Sequence, residues 1–106
     1  MQDLTLSEAD NGKEIEAAVG QQIVLALPEN PSTGYTWSIE LPPGVEQQSS
    51  TFAPAGAAMA GSGGRRVWSI KLLRSGEATL RAKLWREWEG DGSVRRRLDI
   101  TLRVAG

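Results

Sequence analysis

Apolar and polar residues alternate with a period of two over most of the chain, and this alternation constrains the fold more than any other feature. It is clearest over residues 21–27, 78–84 and 98–104. A strand places successive side chains on opposite faces, whereas an amphipathic helix needs apolar residues three or four positions apart. The pattern therefore predicts β-strands that pack one face on a core and turn the other to water.

Clusters of glycine, proline, asparagine and aspartate separate the alternating runs and mark turns. The runs between them predict about seven or eight short strands, an arrangement typical of an antiparallel β-sandwich. Residues 45–52 are the weakest strand candidate. Trp37 and Trp68 lie in phase with the isoleucine and leucine positions of their strands, so both are predicted to lie in the core.

Composition limits what such a sandwich can do. The 106 residues have the length of a single domain, and 40% of them are hydrophobic, which is enough for a packed core. The chain has no cysteine and no histidine, which excludes disulfides, Cys or His metal sites and catalytic triads that contain histidine. A net charge of -1 gives no overall field that would attract nucleic acid.

No signal for a membrane or an export pathway stands out. No segment approaches the roughly 18–20 consecutive apolar residues of a membrane span, and the start Met1-Gln2-Asp3 is acidic with no apolar run after it. These features fit a cytoplasmic protein and also the mature domain of a periplasmic or secreted one. The lack of cysteine does not decide the compartment.

The first candidate functional segment is NPSTGY, residues 30–35. Pro31 fixes one φ angle and Gly34 can adopt a positive φ, so the segment is suited to a tight turn. Asn30 can brace that turn by hydrogen bonding to nearby backbone. An ordinary tight turn between two strands explains the same residues.

The second segment is GSGG, residues 61–64, directly before the strand candidate 65–73. Glycines let another backbone approach closely, and an extended peptide can pair with their N–H and C=O groups. A flexible connection is the alternative, and it is the reading favoured for the small residues of 53–64. A phosphate site is excluded because a strand, and no helix, follows the glycines.

The third segment is WREWE, residues 85–89. Trp85 and Trp88 are three positions apart, so they cannot both face the core of a regular strand. An exposed tryptophan beside Arg86 has the composition of an interface anchor. The alternative is that Trp88 caps the end of the sandwich while Arg86 pairs with a neighbouring glutamate.

Three consecutive arginines at 95–97 suggest a basic patch. Alternation sends the middle one to the opposite face, and Glu87 and Glu89 are expected across a hairpin from them. We therefore predict a solvated, ion-paired strand here and no nucleic-acid site.

Taken in order, the three segments resemble the chagasin family, the inhibitors of papain-like cysteine peptidases. That family carries an Asn-Pro-Thr-Thr-Gly-Tyr loop, a Gly-x-Gly-Gly loop and an Arg-Pro-Trp loop. The corresponding stretches of this chain are NPSTGY at 30–35, GSGG at 61–64 and REW at 86–88. Ser32 replaces a Thr and loses a methyl group, and Glu87 replaces the Pro, which removes a fixed φ angle and adds a negative charge.

The resemblance implies one domain, residues 1–106, with an immunoglobulin-like antiparallel β-sandwich and no disulfide. It implies no enzymatic activity, no cofactor and no metal. Residues 30–35 would block the catalytic cysteine of papain-like cysteine peptidases such as papain and the cathepsins, with residues 61–64 on the non-primed side and Arg86 and Trp88 on the primed side. The free inhibitor would be a monomer. The implied peptidase-binding residues are Asn30, Pro31, Ser32, Thr33, Gly34, Tyr35, Gly61, Ser62, Gly63, Gly64, Arg86, Glu87 and Trp88.

Two other classes of function stay open on the residues alone. An immunoglobulin-like adhesion or carbohydrate-binding module would use exposed tryptophan, although sugar-binding modules usually offer a planar aromatic platform. A hydrolase without histidine or cysteine would need a pair of acids. Glu87, Glu89 and Asp91 lie in a turn, which is a poor setting for tuned acid and base groups.

Overall fold

The alternating runs of the sequence form strands in the computed structural model, which describes residues 3–54 and 63–106. In these residues no helix is long and apolar enough to cross a bilayer. Four short 3-10 turns join the strands at Glu8–Asp10, Pro31–Thr33, Glu87–Glu89 and Asp91–Ser93. The strands are β1 (Leu4–Ser7), β2 (Glu14–Ala18), β3 (Gln22–Glu29), β4 (Thr36–Glu40), β5 (Val45–Pro54), β6 (Gly64–Leu72), β7 (Gly76–Trp85) and β8 (Arg96–Ala105).

The strands form two four-stranded sheets that enclose one hydrophobic core. The first sheet has the order β1-β3-β6-β5 and the second the order β2-β8-β7-β4. Alternate residues of β3, β6, β7 and β8 are buried between the sheets, and Trp37 and Trp68 are among the buried residues. The predicted β-sandwich and the predicted core positions of both tryptophans are confirmed.

The strand directions contain one feature that alternation could not reveal. The pairs β3–β6, β5–β6, β4–β7 and β7–β8 are antiparallel, whereas β1 lies parallel to β3 and β2 lies parallel to β8. Each sheet therefore has one parallel edge strand from the N-terminal part of the chain. Alternation tells which face of a strand is buried, but it says nothing about which neighbour the strand chooses.

Register places three connections at the same end of the sandwich. In the first sheet the end of β3 and the end of β5 both pair with Gly64, the first residue of β6. In the second sheet the start of β4 pairs with the end of β7, where β8 also begins. We call residues 30–35 the first loop, residues 55–63 the second loop and residues 86–95 the third loop. The first loop crosses from one sheet to the other.

Candidate functional site

The first loop is a 3-10 turn braced by its own side chains. The Asn30 side-chain oxygen accepts the Ser32 N–H at 3.1 Å and the Ser32 hydroxyl at 2.7 Å. The Thr33 hydroxyl donates to the Asn30 carbonyl at 2.8 Å and accepts the Tyr35 N–H at 3.2 Å. Gly34 has a φ of +80°, in the region that glycine favours. The predicted bracing by Asn30 and the positive φ of Gly34 are confirmed.

The third loop consists of two successive 3-10 turns tied together by Ser93. The Ser93 hydroxyl oxygen accepts the Arg86 N–H at 2.9 Å. It also lies 2.9 Å from the Arg86 carbonyl and 2.7 Å from the Gly90 carbonyl, to one of which it donates. Trp88 lies on the first turn and is 71% exposed. The prediction that at least one of Trp85 and Trp88 is exposed is confirmed at Trp88. The ion pair of the alternative reading is present as well, because Arg86 Nη1 lies 3.5 Å from Glu89 Oε2.

Arg86 joins the third loop to the first. Its Nε and Nη2 atoms donate to the Thr33 carbonyl at 3.3 and 3.1 Å, and charge-assisted bonds of this kind are stronger than neutral ones. Its guanidinium carbon lies 4.5 Å from the centre of the Tyr35 ring, and that of Arg95 lies 4.4 Å from the same centre. Both cations attract the ring electrostatically, which fixes Tyr35 at the foot of the first loop.

Trp88 makes a second link between these two loops. A Cβ atom built on Gly34 would lie 2.8 Å from Cη2 and 3.2 Å from Cζ2 of Trp88. The indole ring therefore packs on the bare backbone of the first loop, and the first and third loops form one continuous surface.

The second loop is described only at its end. Residues 55–62, which include Gly61 and Ser62, lie outside the described residues. At both ends the flexible connection predicted for 53–64 is wrong, because Ala53 and Pro54 belong to β5 and Gly64 begins β6. Gly63 has a φ of +76°, and a Cβ there would lie 3.3 Å from the Glu29 carbonyl oxygen. A Cβ on Gly64 would collide with the Ala53 carbonyl oxygen and lie 2.9 Å from the α-carbon of Pro54. The close backbone approach that the glycines predict is therefore present at both of these positions.

The acidic partners of the arginine run differ from those expected. Glu87 and Glu89 are not across a hairpin from residues 95–97, because β7 ends at Trp85 and both acids lie in a 3-10 turn. Arg96 pairs instead with Glu8 at 2.8 Å. The expectation that the arginine run would be ion-paired therefore holds at its middle residue, with a partner from the other end of the chain.

Sequence reasoning missed Glu29, the residue directly before the first loop. Its side chain is fully buried and is paired with Arg66. One signal was available, since Glu29 continues the core-facing alternation of Ile23, Leu25 and Leu27. Its negative charge hid that signal, because glutamate is rarely buried without a partner.

The residues of the site are suited to binding another molecule and not to catalysing a reaction. The hydroxyls of Ser32 and Thr33 are hydrogen bonded to Asn30, and the chain has no histidine to activate them. Over residues 3–54 and 63–106, no group of three acidic side chains could hold a metal ion. What the loops offer is a braced turn, an exposed indole ring and fixed cationic side chains.

Residues 16–103 match the sequence profile of the family described as "Chagasin family peptidase inhibitor I42". Chagasin of Trypanosoma cruzi is 25% identical over 105 residues, which cover 93% of this chain and 96% of chagasin. The crystal structure of the cysteine protease inhibitor EhICP2 from Entamoeba histolytica matches with a TM-score of 0.84 and 24% identity over 97% of this chain and 95% of that one. The structure of PbICP-C in complex with falcipain-2 matches with a TM-score of 0.65 and 16% identity over 99% and 100% of the two chains.

Proposed function

Because this chain belongs to the chagasin family of peptidase inhibitors, we propose that it inhibits papain-like cysteine peptidases by filling their active-site cleft with its three loops. EhICP2 is described as a cysteine protease inhibitor and PbICP-C was solved bound to falcipain-2. Both share the fold of this chain, and they support the choice of cysteine peptidases as targets.

The observation that carries the proposal is that the first and third loops contact each other and form one surface. Arg86 holds the Thr33 carbonyl, and the Trp88 ring packs on Gly34. A surface that is already shaped before binding loses less conformational entropy in the complex. Protease–inhibitor interfaces bury about 800 Å² on each partner, an area that three neighbouring loops can supply.

The loops have separate roles in this proposal. The first loop enters the cleft, with Ser32 and Thr33 nearest the catalytic cysteine. Trp88 and Arg86 pack on the primed side, with Glu87 beside them. The glycines of 61–64 lie along the non-primed side, where backbone groups pair with the edge of the cleft. The remaining contact residues are Asn30, Pro31, Gly34 and Tyr35.

The shape of the first loop favours inhibition over cleavage. Peptidases pair with extended peptides, whereas residues Pro31–Thr33 form a 3-10 turn. The hydrogen bonds of Asn30 and Thr33 hold that turn closed. The inhibitor acts by occupying space, so it needs no nucleophile or general base and has no enzymatic activity of its own.

The proposal is tested by titrating papain and a lysosomal cathepsin with the protein, using trypsin as the serine protease control. We expect complete inhibition of both cysteine peptidases by a monomer at one inhibitor per enzyme, and no effect on trypsin. Mass spectrometry after dissociation should recover the intact inhibitor. Absence of inhibition at micromolar concentrations, or stoichiometric cleavage within the first loop, would contradict the proposal.

A further inference from the structure

Glu29 is the one buried charged residue among those the structure describes, and it occupies a position that suits an apolar side chain. The residue is 4% exposed and follows Ile23, Leu25 and Leu27 on the core-facing side of β3. Burying a carboxylate carries a large desolvation cost, and a well-packed apolar residue in its place is often as stable or more so. Packing of the core therefore does not account for a glutamate at this position.

The Glu29 carboxylate accepts hydrogen bonds from two different strands. Oε2 accepts the backbone N–H of Trp37, on β4, at 2.8 Å. Oε1 accepts two hydrogen bonds from Arg66, on β6, one from Nη2 at 2.9 Å and one from Nε at 3.2 Å. Both oxygens are thus engaged by donors on opposite sheets of the sandwich.

These bonds hold together the two ends of the first loop. β3 and β4 belong to different sheets, so no ladder of backbone hydrogen bonds joins them. The bond from Trp37 to Glu29 closes the loop across eight positions. A second bond, from Trp37 Nε1 to the Pro28 carbonyl at 2.8 Å, closes it again.

Arg66 extends the same contacts toward the second loop. Its guanidinium carbon lies 5.7 Å from the centre of the Phe52 ring on β5. The carbonyl oxygen of Glu29 lies close to Gly63, as the 3.3 Å separation of a built Cβ shows. Glu29 and Arg66 therefore lie where the bases of the first and second loops meet.

We propose that Glu29, with Arg66 as its partner, is a positioning residue that fixes how the first loop leaves the first sheet. This inference rests on the inhibitory function proposed above. Since the side chain of Glu29 is buried, it acts through the loop and does not touch the peptidase. Without this clamp the loop samples several geometries, and the apparent affinity falls by the fraction of molecules that have the competent one.

Two variants separate this role from a purely structural one. Glu29→Gln replaces the charged acceptor of the Trp37 N–H by a weaker neutral one and removes the charge that faces Arg66, and Arg66→Met removes the guanidinium. The matched control is Ile23→Val, which alters the same strand and core at the far end from the loops. Association and dissociation rates with papain come from inhibition progress curves, and hydrogen exchange of the Trp37 amide is measured in the free protein.

If fewer inhibitor molecules have the first loop in the geometry that binds, the association rate with papain falls and the dissociation rate stays unchanged. We expect both site variants to associate about tenfold more slowly, with faster exchange at the Trp37 amide. Ile23→Val should lower the melting temperature and change neither rate. Unchanged association in both site variants, or an increase confined to the dissociation rate, would overturn the inference. If the unmodified chain inhibited no peptidase, the proposed function would be wrong. Unchanged exchange of the Trp37 amide in both site variants would overturn the positioning role of Glu29 independently of that result.

Discussion

The indole ring of Trp88 rests on the α-carbon of Gly34, so that the exposed residue of one loop is seated on the backbone of another. A Cβ at Gly34 would come within 2.8 Å of the ring, closer than real Cβ contacts allow. The φ of Gly34 is +80°, a backbone conformation that residues with a Cβ atom adopt only with steric strain. Glycine is therefore required here both for the turn and for the seat of the ring.

Gly34→Ala should weaken inhibition far more than it weakens the fold. The new methyl group displaces Trp88, and we expect the inhibition constant to rise at least about tenfold, as for the loss of part of a hot-spot contact. The matched control is Gly12→Ala, where φ is +81° and nothing lies within 4 Å of a built Cβ. Both variants should lose about 1 kcal/mol of stability from backbone strain. Equal inhibition constants for the two would contradict the role given to the Gly34–Trp88 contact.

Trp88→Ala and Trp68→Ala should separate binding from folding. Trp88 is 71% exposed and Trp68 is 3% exposed. Removing Trp88 should cost about 2–4 kcal/mol of binding free energy if its ring is a hot spot, with an unchanged melting temperature. Removing Trp68 should cost about 3–5 kcal/mol of unfolding free energy through a core cavity, while the protein that stays folded still inhibits. Inhibition constants and melting temperatures of both variants check this, and the reverse pattern would place Trp88 outside the interface.

Much of the sandwich follows from the alternation because burial itself repeats every second residue. The fully buried positions Ile23, Leu25 and Leu27 stand out in the sequence as apolar residues two positions apart. The parallel pairing of β1 with β3 and of β2 with β8 does not stand out, since it depends on which edges of the sheets are left free. The strand β2 is hard to find for another reason, since its alternation contains only one large apolar residue, Ile15.

The site divides in the same way between local and distant contacts. Bracing of the first loop by Asn30 acts over two or three positions, so the residue types predict it. The bonds from Arg86 to Thr33 and from Arg66 to Glu29 join residues far apart in the chain. No local pattern names such partners, because they are brought together only by the pairing of the sheets.

Arg86→Lys should weaken inhibition although it preserves the charge. Lysine cannot donate to the Thr33 carbonyl through two nitrogens, and it lacks the planar group that stacks on Tyr35. We expect a loss of about 1.5–3 kcal/mol of binding free energy, the value of the one charge-assisted hydrogen bond that lysine cannot replace. Arg81→Lys is the control, because Arg81 is an exposed partner of Asp99 at 3.8 Å on the outer face of the second sheet. Titration of papain with both variants measures the difference, and equal weakening would mean that the Arg86 contacts carry no special weight.

Glu87→Pro should stabilise the protein and leave it active. Glu87 is the first residue of its 3-10 turn, and Arg86 before it has φ -100° and ψ 109°, the extended geometry that favours a following proline. Proline there should add about 0.4–1 kcal/mol to the free energy of unfolding by restricting the unfolded chain. Glu89→Pro is the contrasting variant, because the Glu89 N–H donates to the Arg86 carbonyl at 2.9 Å. Thermal unfolding should shift upward for the first and downward for the second, and a destabilised Glu87→Pro would mean that the turn does not accept the proline of the family motif.

The contacts between the first and third loops also bear on how such a site is transplanted or recombined. Each loop supplies part of the other's surroundings, since Arg86 bonds to the backbone at Thr33 and Trp88 rests on Gly34. Residues 30–35 grafted alone onto another β-sandwich would lack the guanidinium of Arg86 and the indole ring of Trp88. The smallest portable unit is therefore the pair of loops in full, up to and including Ser93, whose hydroxyl folds the third loop back on itself. Exchange of segments between related inhibitors is expected to preserve that pair as a block.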